Sequence, residues 1–255
     1  MRHSIIILTA FALFFAVWYF NLGGWPFRAF TEGSQAAHYF VNYVVAGLIP
    51  AAALLLLHRP DEIASSMGLS RGFGSGALFG VLATLPMLIG YACMGTFDRE
   101  VAADHLLTRV VIAGFFEELV FRGFVFGQLF RYARWGFLPA ALLTAVAFGS
   151  LHLYQGHDLQ SALGAFGVTA AGSVFFSWIY AEWNFNLWCV VWLHTLMNLP
   201  WIVFSVSASG AVGGIGANIL RFGTIAIAIG LTIAYKKQKR LPYCINYKQL
   251  IINHV

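Results

Sequence analysis

Glu117, Glu118 and Arg122 sit inside a stretch that is otherwise greasy, with apolar runs from Val110 to Phe116 before them and from Phe124 to Phe130 after them. A charged side chain at bilayer depth costs roughly 2.5–3.5 kcal/mol on insertion scales, so intramembrane charges are functional-site candidates by default. On a helix, Glu118 and Arg122 stand at i, i+4 with the acid N-terminal, the favourable order for a pair on one face. Arg122 can then neutralise Glu118. Glu117 is turned about 100° away around the helix and has no such partner. Burial without a cation disfavours the ionised form of a carboxylate, which is how a general base active near neutral pH is made. The competing reading of the trio is an ionic lock that holds helices together, because structural ion-pair networks perturb titration as well.

Three further polar residues lie too deep in apolar segments to be ignored: His152, His194 and Asn198. His194 and Asn198 are i, i+4, so both can face one cavity, and Phe148 has the same relation to His152, which places an aromatic ring beside the imidazole. Each of these groups must find partners away from lipid, and the simplest solution is that they meet. Depth allows it. At 1.5 Å per residue, Glu117 lies roughly 20 Å from Phe130, His152 roughly 24 Å from Gly136, and His194 and Asn198 roughly 13 and 20 Å from Phe185. A carboxylate with a neutral imidazole can hold a water and take its proton. A second imidazole with an amide can donate to a developing oxyanion. The set is suited to hydrolysing an acyl bond without a covalent intermediate. No G-x-S-x-G elbow and no H-E-x-x-H zinc helix is present, so neither a serine nucleophile nor a metal or other cofactor is expected. Glu and His are metal ligands too, which leaves a metal-assisted variant open. Cys93, Cys189 and Cys244 are scattered and read as small hydrophobes rather than a metal cluster.

The elements that must position these groups follow from composition. Of 255 residues 60% are hydrophobic and 10% charged, against about 25% charged in an average soluble domain, and the mean hydropathy is +0.75. The expectation is an all-α polytopic membrane bundle, one domain over 1–255 with a catalytic core at about 106–204. Eight apolar segments are read: Ser4 to Leu22, Ala36 to Leu57, Phe73 to Gly95, Leu106 to Phe130, Gly136 to Tyr154, Ser161 to Ala181, Phe185 to Phe204 and Ala211 to Tyr235. Gly123 and Gly127 have the small-xxx-small spacing that lets a helix approach its neighbour closely. A polar stretch from Pro60 to Gly72, a Gly/Ser/Ala linker from Ser205 to Gly216 and a peripheral tail of about fifteen residues complete the chain. The basic residues lie between spans rather than in a groove-like stripe, which argues against nucleic acid as a partner. Arg2, Arg59, Arg71, Arg131, Arg134 and the Lys236 to Arg240 cluster fall on one side, and Arg28 and Arg99 on the other. The bias puts both termini in the cytoplasm, with the plasma (inner) membrane as the location.

Glu117-Glu118-x-x-x-Arg122, Phe148-x-x-x-His152 and His194-x-x-x-Asn198, in that order on three apolar segments, resemble the type II CAAX prenyl protease and bacteriocin-processing family. Its members are intramembrane glutamic endopeptidases akin to the Ras-converting enzyme. The resemblance is close over about Leu106 to Asn198 and general elsewhere. It implies that Glu117 activates water with help from His152, that His194 and Asn198 form the oxyanion hole, and that Glu118 and Arg122 support them. The implied partners are membrane lipids and a peptide or protein substrate, prenylated in some members, cut near its C-terminus. A different class stays in view, a non-catalytic scaffold or bacteriocin-immunity protein using the same polar cluster for packing. A proton-coupled transporter is a third, since intramembrane Glu and His also build proton relays.

Overall fold

A computed structural model describes residues 1–70, 72–204 and 212–253. Arg71 and most of the linker expected at Ser205 to Gly216 lie outside the described residues. Those described are helical apart from turns, loops and two isolated bridges, Phe97 with Phe204 and Trp135 with Ile252. The long helices are α1 (Arg2–Tyr19), α2 (Gln35–Leu57), α3 (Phe73–Met94), α4 (103–131), α5 (Phe137–Ser150), α6 (Leu159–Glu182), α7 (Leu187–Val203) and α8 (Ile215–Lys239). Between α2 and α3 the polar stretch forms short helical turns, Pro60–Glu62 and Ile63–Ser66.

Among the described residues, six helices are long and apolar enough to cross a membrane. Hydropathy had suggested eight, and the two that differ are the two carrying Glu117 and His194. α7 has only 17 residues, about 26 Å at the helical rise, against a hydrocarbon core of about 30 Å. α4 is helical without a break, but its hydrogen bonding alternates: α over Ala103–Leu106, Ala113–Glu118 and Gly127–Arg131, and π over Leu107–Ile112 and Leu119–Phe126. No regular α-helical stretch of span length therefore exists there. π turns cluster at functional sites, and here they flank the two glutamates.

α4 is the element around which the others pack. Every residue from 120 to 130 is buried, as expected of a helix that is apolar all round. Phe121 meets Phe148 of α5 edge-on at 5.1 Å, and Phe126 meets Phe137 of α5 and Tyr180 of α6 at 5.8 and 6.3 Å. The two glycines serve the close approach their spacing suggested. A Cβ on Gly123 would lie 3.0 Å from the Met67 methyl, and one on Gly127 would lie 3.2 Å from the Tyr180 hydroxyl.

Contacts between helix ends and loops gather at two faces of the bundle. On the face of the termini, Trp135 donates to the Ser4 hydroxyl (3.1 Å), the Leu187 amide to Gly68 (3.1 Å) and the Gly136 amide to Ile251 (3.0 Å). On the opposite face, the Ser34 hydroxyl and the Ala36 amide bond to Asp104, and the Asp98 amide donates to Val203 (2.9 Å).

The C-terminal tail corrects the sequence reading: it is docked rather than peripheral. The buried Glu182 carboxylate accepts the amides of Cys244 (3.0 Å) and Ile245 (2.9 Å) and pairs with Lys236, which itself donates to Pro242 (2.7 Å). Asn253 donates to the Phe130 carbonyl at 2.7 Å. These contacts link the tail to the ends of α4, α6 and α8, which hydropathy cannot register because they are made by single polar groups far apart in sequence.

Candidate active site

The approach of α4 to α7 fixes the centre of the site. At Gly114 a Cβ would lie 2.4 Å from the Thr195 hydroxyl, so only glycine lets the two backbones come this near. One turn along α4 from that contact stand Glu117 and Glu118, and the residue before Thr195 on α7 is His194.

Glu118 is the hub. Its Oε1 accepts from Arg122 Nη1 at 3.1 Å and from His194 Nδ1 at 2.7 Å. The Glu118 and Arg122 side chains are each 1% exposed. Glu117 and His194 are 13% exposed, with Glu117 Oε2 3.9 Å from His194 Nε2. The adjacent carboxylates thus have different surroundings: one is sealed into an ion pair, and the other reaches the cavity. The Arg122 guanidinium lies over the rings of Phe148 (4.9 Å) and Phe176 (5.3 Å), and cation–π attraction offsets part of the cost of desolvating it. Glu118 Oε2 and Arg122 Nε are nonetheless buried without a protein partner.

His152 ends α5. Its Nδ1 donates to the Phe148 carbonyl at 2.8 Å, and the rings of the two residues are 4.7 Å apart. That bond leaves Nε2 as an acceptor in the neutral imidazole. Asn198 donates from Nδ2 to the Arg109 carbonyl at 3.0 Å, which spends one of its two N–H groups on holding α7 to α4 and leaves the other available.

All seven residues singled out in the sequence, Glu117, Glu118, Arg122, Phe148, His152, His194 and Asn198, line one cavity of about 870 Å³. Its wall also includes Trp18 at the end of α1, Tyr39 near the start of α2, Met87 of α3, Arg109 early in α4, Tyr154 just past α5, the 167–176 stretch of α6, Trp201 of α7 and Arg221 of α8. Most of these lie in the half of the bundle away from the termini, while Arg122 and Phe176 reach past mid-depth. Below them the buried 120–130 half of α4 fills the bundle. Sequence reasoning missed Phe176, which nothing distinguishes from the other phenylalanines. It also missed Arg109 and Arg221, for which a signal existed: each is a charge inside an apolar segment. Among the described residues, no group of three or more His, Cys, Asp or Glu side chains is placed to hold a metal ion.

Fold and site together define a polytopic helical membrane protein with a polar cluster of carboxylates and imidazoles in an intramembrane cavity. Residues 102–200 match the family model described as Rce1-like, the type II CAAX prenyl endopeptidases. The matched stretch carries all seven residues and covers α4 through most of α7. The matched family is one of proteases. No curated protein matches the chain.

Proposed function

We propose that this protein is an intramembrane endopeptidase that hydrolyses a peptide bond with water activated by Glu117. The observation that carries the reading is the division of labour between the two glutamates: Glu118 is locked to Arg122 and His194, while Glu117 faces the cavity 3.9 Å from His194. In this mechanism a water donates to Glu117 and to Nε2 of His152. Glu117 takes the proton as the water oxygen bonds to the substrate carbonyl carbon. His194, protonated, brings the summed charge of Glu117, Glu118, Arg122 and His194 to zero, and its Nε2–H together with the second Asn198 N–H donates to the oxyanion. Collapse of the intermediate breaks the C–N bond, and the amine leaves with the proton held by Glu117. Fixed donors in a water-poor site stabilise such charge far better than solvent does. The substrate class implied by the family is a membrane-associated peptide cut near its C-terminus, prenylated or not.

The test is cleavage of quenched fluorescent peptides by the purified, detergent-solubilised protein. Cleavage is expected, and it should survive thorough chelation, because Asn198 and Arg122 stand where further metal ligands would be needed. Recovery only on adding back a metal would overturn the metal-independent mechanism, and an intact peptide pool under all conditions would favour the scaffold or immunity reading.

In the proposed topology α4 and α7 also cross, giving eight spans with both termini in the cytoplasm of a plasma (inner) membrane. The motive is the clustering of Arg2, Arg59, Arg131, Arg134 and the Lys236 to Arg240 run on the face of the termini. Glu32 and Gln238 are exposed at opposite faces. Cysteines introduced at these two positions, in a background without Cys93, are expected to react with an impermeant thiol reagent on opposite sides of intact cells. Reaction from the same side would rule out eight crossings.

A further inference from the structure

Three arginines line the cavity: Arg122 is paired with Glu118, Arg109 donates to the Tyr154 hydroxyl at 3.2 Å, and Arg221 has no such side-chain partner among the described residues. It lies on α8, about 9 Å along the axis from Ile215 at the helical rise, and it lines the same cavity as Glu117. Its guanidinium stacks over the Trp201 ring at 4.3 Å. Its Nη1 is buried without a hydrogen-bond partner, and no carboxylate among the described residues pairs with it. The Tyr91 hydroxyl, within electrostatic reach of Arg221, is also buried without a partner. An isolated cation at membrane depth is costly and marks a ligand path. A guanidinium held over an aromatic ring with its Nη1 unpartnered is suited to a carboxylate, which it can bind through two parallel bonds.

We infer that Arg221 is a specificity-determining residue that receives a free carboxylate of the peptide substrate, its C-terminal one. The inference rests on the endopeptidase reading and adds to it what selects the substrate. Trp201, the platform for Arg221, follows His194 by two turns of α7, roughly 10 Å along its axis. An extended chain covers that distance in about three residues. A peptide whose reacting carbonyl lies beside His194 and Asn198 therefore brings a carboxylate a few residues downstream to Arg221. The other anion source with this chemistry is an acidic lipid headgroup. The peptide is favoured because Arg221 shares its cavity with the reacting groups and sits over Trp201, which lies beyond His194 and Asn198 along α7.

The experiment compares peptides identical except for a C-terminal acid or amide, against wild type, Arg221→Gln and Arg221→Lys. For wild type the acid should have a KM lower than the amide by about tenfold or more, the scale of one charge-assisted bond. Arg221→Gln should bring that ratio close to one, and Arg221→Lys should restore part of it. A ratio near one in wild type, or one that survives Arg221→Gln, would overturn the assignment. So would an unchanged ratio accompanied by loss of a stimulation by acidic phospholipid, which would transfer Arg221 to the lipid. If wild type cleaves nothing, the endopeptidase reading fails by itself, and thermal stabilisation by the same peptides decides the inference. The acid peptide should raise the unfolding temperature of wild type more than the amide does, and this difference should vanish in Arg221→Gln. Equal shifts would reject it. Because the Gln variant removes a half-buried cation that no carboxylate among the described residues pairs with, it should fold and be no less stable without peptide, which the same melts record.

Discussion

Glu117→Gln is expected to leave a folded, normally inserted protein whose peptide cleavage has fallen at least about 100-fold, the low end for a lost general base. The amide keeps the shape of the side chain and much of its hydrogen bonding but cannot take a proton from water. Folding should survive because Glu117 has no short ionic partner: its nearest cationic candidate is His194 Nε2 at 3.9 Å, while His194 is held by Glu118 through its other nitrogen at 2.7 Å. The loss should appear in kcat rather than in KM, since the missing interaction belongs to the transition state. Circular dichroism and a detergent melt establish the fold, and steady-state cleavage gives the rate. Full activity of this variant would eliminate the proposed mechanism.

Glu118→Gln should behave in the opposite way. It strands Arg122 among Phe148 and Phe176 with no anion and weakens the grip on His194 at the same time. Breaking a buried pair by removing one partner costs on the order of 3 kcal/mol, so the variant should lose expression or melt several degrees lower. Replacing both partners, Glu118→Leu with Arg122→Met, should recover part of that stability, because neither charge is then left buried. It should not recover activity, since His194 loses the carboxylate that orients it. Melts and cleavage measured on the single and double variants make the test. A stable Glu118→Gln protein that has lost only activity, beside a Glu117→Gln protein that fails to fold, would mean the two glutamates have exchanged roles.

The site was more legible in the sequence than the fold that holds it. Charges and imidazoles in apolar segments are conspicuous because lipid makes them costly, so Glu117, Glu118, Arg122, His152, His194 and Asn198 could be picked out one by one and grouped by helical spacing. What spacing could not give was the bond from His194 to Glu118. That contact depends on how near α4 comes to α7, and this is fixed by Gly114 against Thr195, a pairing distant in sequence. The alternation of α and π turns in α4 was hidden for a similar reason: its residues satisfy either pattern, and packing decides between them. The tail escaped because its anchor, Glu182 with Lys236, lies at helix ends where charges are ordinary.

The cavity wall includes His105, Tyr154 and Gln155, beside the loops that lie away from the termini, whereas Phe124, Phe126 and Phe130 are packed in the core toward the basic ends. If those ends are cytoplasmic, that part of the wall lies nearest the outer compartment. A cytosolic peptide would then meet the packed half of α4 before Glu117. Substrates would have to arrive already exported, or slide in sideways from the outer leaflet past the small residues Gly167 and Gly172, whose Cβ positions meet nothing within 4 Å. Turnover in the cell would then be set by secretion of the substrate, and blocking export should silence the enzyme without touching it.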